Sequence, residues 1–363
     1  MYITSNDRKP LCIILFVLLC GLSSAAASGR TEIERRSENF LALGTTCSIS
    51  FDVDKKGRAA GTDQKADPIF NEIKNLVMGV ENRMSVNIAD SEVSSVNSAA
   101  GKKRVKVSDE LLKVISEGRR FSALSRGAFD ISIGPLVKLW GIGDSDARKP
   151  ERTEIVSALS LVDYSRVSIR GNEIFLEDYG MRLEPGGIAK GWAADKTAAY
   201  LKSQGIESAL INLGGNVLAV GSKNDGSAWR IGVQNPDNPR GDYLGILEIR
   251  DRAVVSSGKY ERYFVEDGIR YHHILSTEDG YPVENGIAQV SIISPSSMTA
   301  DAMSTSVFSL GLERGLALAE TVDDVETIII MENGDVHISS GIESDFRLTD
   351  MRFKIISSAG TGE

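Results

Sequence analysis

Three groups of residues in this chain combine types and spacings that can do chemistry. The first is Leu183-Glu184-Pro185-Gly186-Gly187-Ile188-Ala189-Lys190-Gly191-Trp192-Ala193-Ala194-Asp195. Its glycines allow backbone to approach a ligand, Lys190 supplies a cation, and the run leads into a helix-like segment. Free N–H groups and the positive dipole end at a helix start form a seat for phosphate oxygens. The stretch lacks both a P-loop ending and the Rossmann spacing, so a tight strand-to-helix turn explains it as readily. The second group is Asp301 and Thr305, at i and i+4 of a helical pattern over 300–320, where their oxygens share one face. Hard oxygen donors of this kind suit Mg²⁺, which uses few protein ligands and completes its shell with phosphates and water. Ser304 and Ser306 offer rival hydroxyls, and a dipole-paired Asp beside a packed Thr is the plainer alternative. The third group is His272-His273, just before Ser276-Thr277-Glu278-Asp279-Gly280. Histidine exchanges protons near neutral pH. Neighbouring strand residues point to opposite faces, so at most one of the two faces a site. That argues against paired zinc ligation, and His337 is too distant in sequence to identify a third ligand.

These residues need elements to position them. Phe40 to Val53 alternates like a strand, and Pro68 opens a helical pattern through Arg83 with Ile69, Ile73, Leu76, Val77 and Val80 on one face. Ser108 caps a helix reaching about Leu124. Segment 165–184 reads as a hairpin and 192–204 as a helix ended by Gly205. Strands are expected over 208–220, 229–234, 243–255, 262–266 and 270–275, then the 300–320 helix and a hairpin turning at Asn333-Gly334-Asp335. Leu213-Gly214-Gly215-Asn216 allows either close approach to a flat ring or a glycine bulge. Trp140, Trp192 and Trp229 are expected to pack rather than stack on a ligand. Strands and helices mix without regular βαβ alternation, so the expected class is α+β.

Composition narrows the function. The chain has 363 residues and a net charge of −9. Its only dense basic run is Lys102-Lys103-Arg104, which argues against a nucleic-acid partner. The N-terminus reads as an export leader over 1–27: Arg8 and Lys9, an apolar stretch from Leu11 to Leu22, and Ala25-Ala26-Ala27 as a cleavage signature. That stretch is too short for a comfortable membrane span. Leu18-Leu19-Cys20-Gly21 offers the rival of cleavage before Cys20 with a lipid anchor there, giving a periplasmic or inner-membrane-anchored protein. Residues 28–39 read as a polar tether and 40–358 as one domain. Of three cysteines, Cys12 and Cys20 lie in the leader, so Cys47 alone offers neither an internal disulfide nor an iron–sulfur site.

Taken in chain order, the segments resemble the ApbE-type FAD:protein FMN transferase family. The resemblance runs through Leu43-Gly44-Thr45-Thr46, Met84-Ser85, Asp90-Ser91-Glu92, Gly127-Ala128-Phe129-Asp130, Gly134-Pro135-Leu136-Val137 and Leu139-Trp140-Gly141. It continues through Gly187-Ile188-Ala189-Lys190-Gly191, Asn212-Leu213-Gly214-Gly215-Asn216, Gly232-Val233-Gln234-Asn235-Pro236, His273 and Asp301-Ala302-Met303-Ser304-Thr305. It implies a single T-fold-like domain of mixed sheets with packed helices. It also implies Mg²⁺-dependent transfer of FMN from FAD to a Thr or Ser hydroxyl of an exported flavoprotein, with release of AMP. The usual acceptor would be a subunit of a membrane electron-transport complex. By position, Leu43, Asn87, Ala128, Phe129, Asp130, Glu184, Lys190 and Ile274 would bind FAD. The Gly187 carbonyl, Asp301 and Thr305 would hold the metal, and His273 would act as the catalytic base.

Two departures stand out. Where the family has His-hydrophobic-hydrophobic-Asp-Pro-x-Thr-Gly, this chain has His273-Ile274-Leu275-Ser276-Thr277-Glu278-Asp279-Gly280. An acid is missing at 276, which bears on how His273 is oriented. Asn87 stands where the family typically has a tyrosine, and a short amide there opens the FAD pocket to water. The expectation that follows is FAD hydrolysis to FMN and AMP beside the transfer. A competing reading is a periplasmic flavin-binding or storage protein without turnover.

Overall fold

The computed structural model describes residues 33–239 and 241–356. The leader, the Cys20 anchor and residues 28–32 of the tether lie outside them. From Ile33 onward the tether reading fails. Strand β1 (Ile33–Ala42) pairs antiparallel with β2 (Thr45–Asp54) along its whole length. Its charges look like those of a solvated linker, yet they are partnered: Arg35 with Asp52, and Glu38 with Lys74 at 3.0 Å. A charged edge strand also discourages further strand pairing.

Helices α1 (Ala66–Met84) and α2 (Glu92–Ser98) follow, then β3 (Val105–Lys106), α3 (Asp109–Leu124), α4 (Gly134–Trp140) and α5 (Arg152–Leu159). The hairpin β4 (Val167–Arg170) and β5 (Glu173–Leu176) leads to α6 (Ala189–Ser203). Next come β6 (Ser208–Leu213), β7 (Asn216–Gly221), β8 (Trp229–Gln234), β9 (Tyr243–Ile249) and β10 (Ala253–Gly258). The ribbon β11 (Tyr263–Glu266) and β12 (Ile269–His272) precedes β13 (Ile287–Ser294), α7 (Ser297–Leu310) and α8 (Leu312–Ala319). Strands β14 (Glu326–Met331), β15 (Asp335–Ile338), β16 (Phe346–Leu348) and β17 (Lys354–Ile356) end the described chain. The class is α+β, as expected. Among the described residues no helix is long and apolar enough to cross a membrane.

A nine-stranded sheet in the order β1-β2-β6-β7-β10-β13-β14-β15-β17 forms the frame. Its two faces are covered differently. Val290 and Ile292 of β13 join the helix-side core, where Phe51 stacks on Phe70 of α1 with ring centroids 4.3 Å apart. Ile293, Ile328 and Ile330 face the other way, onto Ile231, Leu247 and Phe346 of the small sheet β16-β9-β8. A third cluster, Leu136, Trp140, Ile155, Tyr271 and Leu275, seats the β11–β12 ribbon against α4 and α5.

The expected 300–320 helix is two helices, because Gly311 at φ 83° breaks it in a conformation that suits glycine. Strand β13 is absent from the sequence expectations: all eight of its residues are buried, so it shows no period-2 alternation. The expected 243–255 strand is two strands, β9 and β10, belonging to different sheets.

Candidate active site

Helices α6 and α7 hold the centre, and two features fix them together. Gly191 lies so close to α7 that a Cβ on it would sit 2.4 Å from the Ser297 carbonyl oxygen and 2.5 Å from Met298 Cα. Asp195, one turn further along α6, caps the start of α7. It accepts from Ser297 N–H at 2.7 Å, from Met298 N–H at 3.0 Å and from the Ser296 hydroxyl at 2.9 Å. Part of the glycine-rich stretch therefore serves helix packing rather than ligand approach.

That packing brings Asp301 against the start of α6. It is 4 % exposed, and its Oδ2 accepts from Gly191 N–H at 2.9 Å while Oδ1 lies 3.8 Å from Lys190 Nζ. Burial pushes its pKa up, opposed by the Lys190 charge and the Gly191 N–H. A desolvated carboxylate with so few donors is suited to a cation. Thr305 sits one turn on, near Gly187: a methyl added at Gly187 would lie 3.6 Å from Thr305 Oγ1 and 3.1 Å from the Phe129 ring. The rival hydroxyls are committed elsewhere. Ser304 donates to the Asp301 carbonyl at 2.9 Å and Ser306 to the Ala302 carbonyl at 2.8 Å, both fully buried. Thr305 is thus the hydroxyl presented beside Gly187. Among the described residues no three His, Cys, Asp or Glu side chains converge as a metal cluster. A metal here would draw on one carboxylate, one hydroxyl, a carbonyl and substrate oxygens, a donor set that fits Mg²⁺.

Around this centre stand the other expected residues. Lys190 Nζ donates to the Gly186 carbonyl at 3.1 Å. Glu184 Oε1 accepts from Gly186 N–H at 3.1 Å, and burial raises its pKa against that N–H and the charges of Arg262, Arg182 and Lys190. Phe129 is buried beside Gly187, and Ala128 lies in the same turn. Asp130 holds that turn. Its Oδ1 accepts from Ser132 N–H and hydroxyl at 2.8 and 2.7 Å, and its Oδ2 from Tyr164 N–H at 3.0 Å. Leu43 and Asn87 lie outside this chain of contacts. Leu43 occupies the β1–β2 turn at φ 55°, and Asn87 is exposed in the turn after α1.

The two histidines differ as their spacing implies. His272 is fully buried, edge-on to Phe308. Its Nδ1 accepts from Ile274 N–H at 3.3 Å, so its Nε2–H donates to the Val283 carbonyl at 3.0 Å. Burial pushes its pKa down to about 4, and it stays neutral as a packing residue. His273 is half-buried. The Arg262 carbonyl accepts from both its backbone N–H at 3.1 Å and its Nδ1–H at 3.3 Å. That tautomer leaves the Nε2 lone pair free. Burial, with the Arg262 charge next, holds the His273 pKa well below its ordinary value. The ring is therefore an unprotonated base at neutral pH. Ile274, next in the chain, is buried and accepts on its carbonyl from Val283 N–H at 2.9 Å.

A model of the ApbE family matches residues 43–329. The chain belongs to the ApbE family. It is 37% identical over 292 residues to a FAD:protein FMN transferase of Klebsiella pneumoniae, covering 80% of this chain and 90% of that protein. A FAD:protein FMN transferase of Treponema pallidum is 34% identical over 355 residues, covering 94% and 96%. The solved structure of the flavin transferase ApbE from Vibrio cholerae superposes with a TM-score of 0.77 at 31% identity, covering 86% of this chain and 100% of that one. The ApbE membership makes this chain a transferase.

Against the ApbE pattern, the missing acid at 276 is accounted for locally. The Ser276 hydroxyl accepts from Glu278 N–H at 3.1 Å and Asp279 N–H at 3.3 Å, two bonds that a carboxylate at 276 would equally be able to accept. Asp279 Oδ1 accepts from Tyr281 N–H at 3.0 Å, and Thr277 donates to the Gly127 carbonyl at 2.8 Å, tying this loop to the Phe129 turn. His273 takes its orientation from Arg262 and does not depend on residue 276. Two residues of the site escape sequence reasoning: Arg262, and Ser257, whose hydroxyl lies 2.8 Å from Ser304 Oγ. No motif marks either one. All three tryptophans pack, as expected: Trp140 Nε1 donates to the Gly280 carbonyl at 2.9 Å and Trp192 Nε1 to Glu110 at 2.7 Å, while Trp229 joins the second core.

Proposed function

We propose that this enzyme moves FMN from FAD onto a Thr or Ser hydroxyl of an exported flavoprotein and releases AMP. The observations that support this reading are the neutral His273, its Nε2 free, and the Lys190 charge that acts on both His273 and the buried Asp301 carboxylate. His273 Nε2 takes the proton of the acceptor hydroxyl as its oxygen attacks the FMN phosphorus. The phosphoanhydride P–O bond breaks and AMP leaves with the bridging oxygen. Asp301, Thr305 and the Gly187 carbonyl would hold Mg²⁺, which when bound would offset negative charge on the pyrophosphate. Lys190 adds a cation beside Asp301. Phe129 packs beside Gly187, its ring 3.1 Å from a methyl added there, and supplies an apolar side to the site.

We also propose a second activity, hydrolysis of FAD to FMN and AMP, on the ground that Asn87, exposed and short, stands where the family typically has a tyrosine. We place the enzyme on the exported side of the membrane, with a membrane electron-transport flavoprotein subunit as acceptor and Cys20 as a lipid anchor. The test is co-expression with candidate flavoprotein subunits and mass spectrometry for an FMN adduct on Thr or Ser. A pure storage protein would give neither adduct nor Mg²⁺-dependent AMP from FAD.

A further inference from the structure

The proposed metal site contains a hydroxyl relay whose direction is fixed by its far end. Ser304 donates its proton to the Asp301 main-chain carbonyl at 2.9 Å, so Ser304 Oγ has lone pairs left to accept. Ser257 Oγ lies 2.8 Å from Ser304 Oγ. With the Ser304 proton committed, the donor in that contact is Ser257. Ser257, at the end of β10, then has its own lone pairs facing Thr305 Oγ1, 3.5 Å away. Thr305 is the remaining donor. The order of donation is Thr305 to Ser257, Ser257 to Ser304, and Ser304 to the Asp301 carbonyl. In this order the Thr305 proton is taken up by Ser257, and the lone pairs of Thr305, whose Oγ1 lies near Gly187, are left free to accept or to bind a cation.

This matters because a hydroxyl bound to a metal offers a lone pair and must direct its proton elsewhere. The usual outlet for a helical threonine is the carbonyl one turn back. Ser257 replaces that outlet for Thr305. It is the only member of the relay outside α7, so it also ties β10 to the face of α7 that carries Asp301 and Thr305.

We propose that Ser257 is a positioning residue that turns the Thr305 hydroxyl toward a bound divalent cation. This inference rests on the metal reading of Gly187, Asp301 and Thr305. Partners of metal ligands typically contribute a roughly 10–100-fold effect on metal affinity. The experiment titrates Mn²⁺ into the purified chain with FAD present and follows free Mn²⁺ by electron paramagnetic resonance. FAD affinity without metal is measured alongside by flavin fluorescence. Ser257→Ala should weaken Mn²⁺ binding by about tenfold or more while metal-free FAD affinity and the melting temperature stay at wild-type values. Ser257→Thr keeps the hydroxyl and should restore Mn²⁺ binding. Equal Mn²⁺ affinity in wild type and Ser257→Ala overturns the role of Ser257 alone. A wild-type chain that binds no Mn²⁺, or a Thr305→Ala variant that binds it normally, overturns the metal reading and this inference with it. If Ser257→Ala melts lower, Ser257→Thr decides: restored folding without restored Mn²⁺ binding refutes the proposal.

Discussion

Gly191→Ala is the sharpest test of how the site is assembled. The new methyl carbon would lie 2.4 Å from the Ser297 carbonyl oxygen, 2.5 Å from Met298 Cα and 2.7 Å from Met298 N. These are main-chain atoms of a helix start held by Asp195, so the clash must be relieved by shifting α6 and α7 apart by about 1 Å. Overpacking of this kind costs about 1–3 kcal/mol. The same shift pulls Gly191 N–H from Asp301 Oδ2, a 2.9 Å bond to a buried carboxylate, worth about 1.5–3 kcal/mol. Alanine returns about 1 kcal/mol through its better helix propensity. The net loss is about 1.5–5 kcal/mol, which at roughly 2 °C per kcal/mol lowers the melting temperature by about 3–10 °C. Differential scanning calorimetry reads that shift, and Mn²⁺ titration reads the loosened site. A variant that melts within about 1 °C of wild type and binds Mn²⁺ equally well would refute the reasoning, since helix separation would then cost nothing.

Further outcomes follow from the loop after β12 and from α1. The His273 pKa is held low, so its base form persists as pH falls. The acid limb of kcat/KM for FMN transfer should lie below the usual histidine value of about 6.5, and His273→Ala should lose that limb with most of the rate. A limb at or above that value would remove His273 as the base. Ser276→Asp should leave transfer nearly unchanged, because a carboxylate accepts from the same two N–H groups. Ser276→Ala should loosen the turn by about 1 kcal/mol, read as faster amide exchange at residues 278–279. Asn87→Tyr should suppress AMP release from FAD when no acceptor is present; release at the wild-type rate would dismiss Asn87 as the opening to water.

Much of the site is legible in the sequence because helices report their own geometry. Asp301 and Thr305 share a helical face by spacing alone, and the two histidines have to diverge because neighbouring strand residues do. The choice of Thr305 over Ser304 and Ser306 needs the folded structure, since all three hydroxyls look alike in sequence and differ only in which carbonyl is within reach. Gly191 hides its role for a similar reason. A glycine required by an α7 backbone more than a hundred residues away looks identical to one required by a ligand. Strand β13 is invisible because burial on both sides erases alternation. Strand β1 is hidden by charges whose partners sit on β2 and α1.

The partner that orients His273 is a main-chain oxygen. No side-chain substitution at Arg262 deletes that acceptor, and the ring's tautomer is insulated from drift at 276 as well. Only a change in the register or path of the β11–β12 ribbon removes it. The chain can therefore vary the side chains around His273 without changing which ring nitrogen carries the proton, although the Arg262 charge still helps to hold the pKa of the ring down.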